Sequence, residues 1–190
     1  MRSQKIITLV NFYSLAKESF LIILGSLLVA LLAQIRIALP FTPVPITGQT
    51  FGVILVGALL KSKKAALSLF IYLIEGILGF PVFASFKGGL TYFLGPTGGY
   101  LIGFIFSAYI TGYLIEKMKN RNTKNYFLAL TFGNFSIYPF GLLWLSFFVG
   151  IKKVLFLGFY PFILGDFIKI LIALNILLFR DFLRSDSRNR

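Results

Sequence analysis

Asp166 and Lys169 are the residues of this chain whose types and spacing could do chemistry. They lie in its last long apolar run, Gly158-Phe-Tyr-Pro-Phe-Ile-Leu-Gly-Asp166-Phe-Ile-Lys169-Ile-Leu-Ile-Ala-Leu-Asn175. Continued to Phe179, that run suffices to cross a bilayer, which takes roughly 20 apolar residues. Residues three apart on a helix share a face, so the acid and the base sit one turn apart. A lone charge at the membrane centre costs at least about 2.5–3.5 kcal/mol on insertion scales. Pairing offsets part of that cost, and ionisable residues kept there usually line a site. The alternative role for the pair is to staple two helices together.

The elements that must position the pair are membrane spans. The chain has 190 residues, is 57% hydrophobic, and carries a net charge of +13 with no Cys and no His. That apolar content, repeated along the length, describes one all-α, polytopic membrane domain rather than a water-soluble one. The missing Cys and His exclude thiol chemistry, disulfides, Cys/His zinc sites and the commonest general base. No G-x-x-x-x-G-K-[ST] loop is present for nucleotide hydrolysis. No enzyme activity, metal or cofactor is expected. The positive charge is read as basic loops on one side of a membrane, not as a nucleic-acid surface.

Six spans are expected. Residues 1–18 precede the first as an N-terminal segment, read as an interfacial helix, and no signal peptide is evident. The spans are Ser19–Leu39, Ile46–Leu60, Ala65–Phe80, a fourth opened by Gly95-Pro-Thr-Gly-Gly-Tyr100 and ending near Ile115, Tyr126–Val149 interrupted by Pro139, and the run that carries Asp166. The transmembrane domain covers 19–180, and 181–190 is a polar tail. Lys152 and Lys153 are read as a short turn before the last span. Pro40, Pro43 and Pro45 forbid helix between the first two spans and stiffen an extended loop. Thr47 caps the second span, followed by Gly48 and Gly52; Thr97, Gly99 and Gly103 echo that pattern in the fourth. Glu75 is a second candidate acid or sits near the interface with its head reaching water.

An even number of spans puts both termini on one side. That side collects Arg2, Lys5, Lys17, Lys61, Lys63, Lys64, Lys117, Lys119, Arg121, Lys124, Arg180, Arg184, Arg188 and Arg190, against Arg36, Lys87, Lys152 and Lys153 on the other. The positive-inside rule then makes both termini cytoplasmic. The Pro-rich loop, the Gly- and aromatic-rich stretch 81–94, and the N-terminal ends of spans two, four and six face outward. Helix N-termini favour anions. Together these features describe an outward-facing cup with one acid, one base and backbone donors. Tyr100, Phe93, Tyr92, Phe83 and Phe86 are its aromatic candidates, and Gln49 and Asn134 its polar helpers.

Leu39-Pro-Phe-Thr-Pro-Val-Pro-Ile-Thr-Gly-Gln-Thr-Phe-Gly52, Pro81-Val-Phe-Ala84, Gly95-Pro-Thr-Gly-Gly-Tyr-Leu-Ile-Gly-Phe104 and Gly165-Asp-x-x-Lys169 resemble the BioY family over nearly the whole chain. Those proteins are the biotin-capturing S components of energy-coupling factor (ECF) transporters. The resemblance implies a six-helix S-component fold and capture of biotin from outside. It also implies docking onto a membrane scaffold subunit with two ATPase subunits, which would use the ATP. Asp166 and Lys169 match the family's acid and base toward biotin. Thr97, Gly98, Gly99 and Tyr100 match the pocket rim, with Phe93, Ser85, Gln49 and Asn134 as further candidates, and the Pro-rich loop matches the lid. Ser26, Ala30 and Ala33 match first-helix positions that meet the scaffold. The chain departs from the pattern at Ile163-Leu164, Lys87, Glu75, and Ser85-Phe86, where small glycines are usual. The competing expectations are an S component for another vitamin and a stand-alone, proton-coupled transporter.

Overall fold

A single helix, α1 (Arg2–Ala33), opens the computed structural model, which describes residues 2–187, without the side chains of 2–12 and Ser14. Arg188 and Arg190, counted above for the orientation, lie outside the described residues, as do the side chains of Arg2 and Lys5. No break separates residues 2–18 from the first span. Leu15–Ala33 is apolar enough to cross a membrane. The helix stops at Ala33, short of the expected Leu39, because residues 36–37 pair with a returning strand. This hairpin of β1 (Arg36–Ile37) and β2 (Ile46–Thr47) is antiparallel, with Arg36 opposite Thr47 and Ile37 opposite Ile46. The three prolines occupy its long turn, where a missing N–H and a fixed φ cost nothing.

Helices α2 (Gln49–Leu60) and α3 (Ser62–Ile77) follow, divided only by Lys61. A short α4 (Leu90–Phe93) precedes α5 (Gly98–Lys117), the central helix, which packs on α2 and α3. Next come α6 (Thr123–Phe135), capped by the Asn122 side chain, and α7 (Tyr138–Val149). Both pack on α5 as well. The break between α6 and α7 falls at Ser136 and Ile137, just before Pro139, which sits in the first turn of α7, where its missing N–H is harmless. Lys152 and Lys153 are not in a turn. They sit on α8 (Ile151–Gly158), which begins after Gly150 ends α7 with φ 78°. A 3₁₀ turn at Tyr160–Phe162 leads into α9 (Ile163–Asp186), so the expected polar tail continues the helix to residue 186.

The chain is all-α apart from the hairpin. Among the described residues, four helical stretches are long and apolar enough to cross a membrane: Leu15–Ala33, Gly98–Lys117, Thr123–Val149 and Ile151–Asp186. Helices α2 and α3 have 12 and 16 residues, and at 1.5 Å per residue they fall short of a hydrocarbon layer of roughly 30 Å. One core cluster, around Val53, Tyr72, Phe83, Tyr100 and Tyr138, surrounds the end of the bundle where α2, α5 and α9 begin. The second, around Ile115, Tyr126, Leu130, Ile170 and Leu177, fills the end where they finish. Outward faces such as Leu27, Leu31, Phe147 and Ile172 are apolar and exposed, as surfaces solvated by lipid must be.

Candidate ligand-binding site

Asp166 lies in the first turn of α9, where the helix dipole favours a carboxylate. It is buried, and both of its oxygens are engaged. Oδ2 accepts from Asn134 Nδ2 at 2.7 Å and from the Tyr138 hydroxyl at 2.6 Å. Oδ1 accepts from Lys169 Nζ at 3.3 Å. Lys169 also donates to Thr50 Oγ1 at 2.7 Å, which ties α9 to α2. A carboxylate oxygen has two lone-pair sites and an ammonium has three donors. The recorded bonds therefore leave one acceptor on Oδ1 and one donor on Nζ, side by side. That pair of groups suits a ligand that presents an N–H next to a C=O.

These groups face a cavity of about 50 Å³. Thr47, Gln49, Thr50, Thr97, Tyr100 and Tyr138 line it together with Asp166 and Lys169, and Val44, Leu101, Phe104, Ile137 and Phe162 supply apolar walls. The N-terminal ends of α2, α5 and α9 converge on it, as the cup requires. Pro45, Tyr92 and Thr97 also border an outer cavity of about 280 Å³, whose walls include Arg36, Pro43, Ser85 and Lys87. Burial raises the Tyr92 phenol above its ordinary value, so it stays a neutral donor.

The Pro-rich loop is held from both sides. The Thr42 hydroxyl donates to the Leu157 carbonyl at 2.7 Å. Gln49 is held in a chain: the Thr47 hydroxyl donates to its Oε1 at 2.9 Å, and its Nε2 donates to the Tyr72 hydroxyl at 2.6 Å. Tyr72 donates on to the Val82 carbonyl at 3.1 Å, so the lid strand and the 81–94 stretch are linked through α3. Tyr100 donates to the Gly158 carbonyl at 2.8 Å, binding α5 to the end of α8.

Of the residues expected at the site, Asp166, Lys169, Tyr100, Tyr92, Thr97 and Gln49 line the inner cavity. Asn134 stands behind Asp166 as its donor. Ser85 faces the outer cavity and accepts from Arg36 at 2.7 Å. Gly98 and Gly99 are packing positions: a Cβ on Gly99 would sit 2.2 Å from the Trp144 Cβ, and one on Gly98 would sit 2.0 Å from the Phe93 carbonyl oxygen. Phe93 packs on Trp144 at 6.1 Å instead of lining the cavity. Phe83 is buried behind Tyr92, stacked at 5.3 Å, while Phe86 points outward. Glu75 is spent on Ser26, whose hydroxyl donates to it at 2.5 Å, outside the pocket. Ser26, Ala30 and Ala33 are corrected as a docking face: at 0%, 8% and 0% exposure they are buried within the fold. Small residues allow close approach of a neighbouring helix, and here those neighbours are in the same chain. Tyr138, Thr50 and Phe104 are site residues that the sequence reading missed. Tyr138 lies four residues after Asn134, and Phe104 four after Tyr100, spacings that place each pair on one face.

Fold and site together define a membrane-embedded helical bundle with a polar-floored pocket at one end. The BioY family model matches residues 3–184. The chain is 43% identical over 154 residues to a probable biotin transporter BioY of Pyrococcus horikoshii, covering 81% of this chain and 90% of that one. It is 41% identical over 144 residues to the biotin transporter BioY of Thermotoga maritima, covering 75% and 83%. A crystal structure of the S component for biotin from an ECF-type ABC transporter superposes with a TM-score of 0.76 at 30% identity, over 86% of this chain and 90% of that one. The chain belongs to the BioY family.

Proposed function

We propose that this protein captures biotin and admits it to the cell as the substrate-specific subunit of an ATP-driven ECF transporter. A membrane scaffold subunit and ATPase subunits would complete the machine. The observation that carries this reading is the open acceptor on Asp166 beside the open donor on Lys169. Biotin's ureido ring offers an N–H and a C=O next to each other, and its bicycle and alkyl chain suit the Leu101, Phe104, Ile137 and Phe162 walls. The biotin transporters among its relatives and the solved biotin S component support the same ligand.

In this reading the bundle crosses the membrane six times, through α1, α2, α3, α5, the α6–α7 pair and α9. Residues 19–180 form the transmembrane domain, and 1–18 and 181–190 lie on the cytoplasmic side. The pocket then faces outward, because the basic ends of α2, α5 and α9 face the cytoplasm. The protein transports and does not catalyse. Mass spectrometry of detergent-purified protein, followed by calorimetry with biotin, riboflavin and thiamine, tests the reading. Biotin is expected to co-purify and to bind tightest. Riboflavin or thiamine in its place would reassign the vitamin, and no bound vitamin would sink the proposal.

A further inference from the structure

Helices α2, α5 and α9 begin at the Asp166 pocket and end together at the other pole. There a cavity of about 370 Å³ is lined by Lys61, Arg121, Arg180 and Arg184, with Glu116 as the only carboxylate among the described residues that line it. Glu116 is already engaged, accepting from the Ser62 N–H at 3.1 Å and from the Ser62 hydroxyl. Arg180 is oriented by Asp181 at 3.0 Å and by the Tyr126 hydroxyl at 3.2 Å. Among the described residues, Lys61, Arg121 and Arg184 are in no ion pair. Cations near helix C-termini complement the dipole and bias topology. That role would require neither their convergence on one cavity nor the backbone that places Lys61.

Lys61 has φ 70° and ψ 166°, a region held essentially for glycine. A glycine would join α2 to α3 without strain, yet the position carries an ammonium. Gly112 lets α5 close on this turn, since a Cβ there would meet the Ser62 nitrogen at 2.5 Å. Lys61 also lines the adjoining cavity, which contains Lys63, Lys64 and Lys117. Tyr109 and Tyr113 stack in its wall at 6.2 Å, 41% and 45% exposed, and the Lys117 ammonium lies 5.7 Å from the Tyr113 ring. Half-exposed tyrosines beside clustered cations are the pattern of a membrane–water boundary. Leu59 and Phe182, 43% and 69% exposed, continue the apolar surface beside the cations.

We propose that this cavity binds the phosphate headgroup of an anionic glycerophospholipid, with Arg121, Arg184 and Lys61 on the phosphate oxygens and the glycerol–acyl part along Leu59. Guanidinium forks fit phosphate bidentately, and basic pockets between membrane helices take such headgroups. The apolar flank favours a lipid over a free anion. The site depends on the membrane-embedded bundle and not on which vitamin occupies the Asp166 pocket.

The full-length protein in neutral detergent is titrated with phosphatidylglycerol, phosphatidylcholine or millimolar inorganic phosphate. Thermal unfolding is followed through Trp144, the chain's one tryptophan. Phosphatidylglycerol is expected to raise the midpoint by about 3 °C or more through preferential binding to the folded state, and the other two are expected to leave it unchanged. Arg121→Ala/Arg184→Ala abolishes the shift while vitamin affinity, measured separately, stays the same. Lys61→Gly raises the lipid-free midpoint by relieving the backbone and yet weakens the lipid shift, so its loss of response does not reflect misfolding. Equal shifts from phosphatidylcholine, or from inorganic phosphate, would overturn the lipid assignment. So would an undiminished phosphatidylglycerol shift in the variants, including the case where they lose only co-purification with the scaffold subunit, which would make the cavity a protein-docking surface.

Discussion

Replacing Asp166 by Asn tests the core of the site with almost no change of shape. The carboxylate accepts from three side chains: Asn134 and Tyr138 on one oxygen and Lys169 on the other. Asn keeps only one acceptor oxygen. In one orientation its NH₂ faces the Asn134 amide and the Tyr138 hydroxyl; in the other it faces the Lys169 ammonium. With Asn134 and Lys169 presenting donors as they do here, either orientation sets the new NH₂ against one of them, and in the second the lone pair offered to the ligand is lost as well. A hydrogen bond to a charged group contributes about 1.5–3 kcal/mol. Losing one such bond to the ligand weakens binding about 10- to 150-fold. Isothermal calorimetry of the purified variant with biotin measures this directly, and thermal unfolding in the same detergent reports whether the fold survives. A folded Asp166→Asn protein that binds biotin with unchanged affinity would refute the assignment of Asp166 as a ligand contact.

Tyr138→Phe removes one of the donors to Asp166 without creating a cavity, and calorimetry should show about three- to tenfold weaker biotin binding, the scale of one hydrogen bond acting through another group. Gly99→Ala places a methyl 2.2 Å from the Trp144 Cβ and 2.4 Å from the Phe140 carbonyl oxygen; overpacking of this kind should destabilise by about 1–3 kcal/mol, seen as a lower unfolding midpoint. Phe86→Gly relieves a left-handed residue, φ 54°, whose cost of about 1–2 kcal/mol exceeds the added freedom of glycine. Its midpoint should rise by a few degrees with biotin affinity retained. Ser26→Leu forces bulk into a fully buried position and removes the donor to Glu75, so the isolated chain should lose stability in the same unfolding assay before any partner is added.

The acid–base pair, the convergence of three helix N-termini on one pocket and the extended Pro-rich loop were legible because each depends on residue type and short-range spacing. What was not legible depends on pairing across the fold. Thr50 reaches Lys169 from 119 residues away, and nothing in the local sequence announces that contact. The small residues of α1 announce close approach but not its partner; the fold directs Ser26 to Glu75, and the assumed docking face turns inward. Ser85 and Phe86 were visible as departures from glycine, but only the backbone shows them at φ 63° and 54°. Their turn is held from outside: Gln34 Nε2 donates to the Phe83 carbonyl at 3.2 Å, and its Oε1 accepts from the Phe86 N–H at 2.8 Å. Helix α8 was read as a turn because two adjacent lysines dominate a stretch too short for periodicity to declare itself.

The way Asp166 is held constrains how the pocket can work. Its partners come from α6, α7 and α2 by way of Lys169, so the floor exists only when four helices are in register. A ligand bound there adds free energy to that one arrangement and to no other. The walls behave differently. The lid contributes Val44, Pro45 and Thr47 and is tied down through Thr42 and the Gln49 chain, contacts between neutral groups that are individually modest. Displacing the Pro-rich loop would therefore break fewer charge-assisted bonds than displacing the floor. Charge-assisted bonds anchor the floor around Asp166, and weaker neutral ones hold the Pro-rich loop.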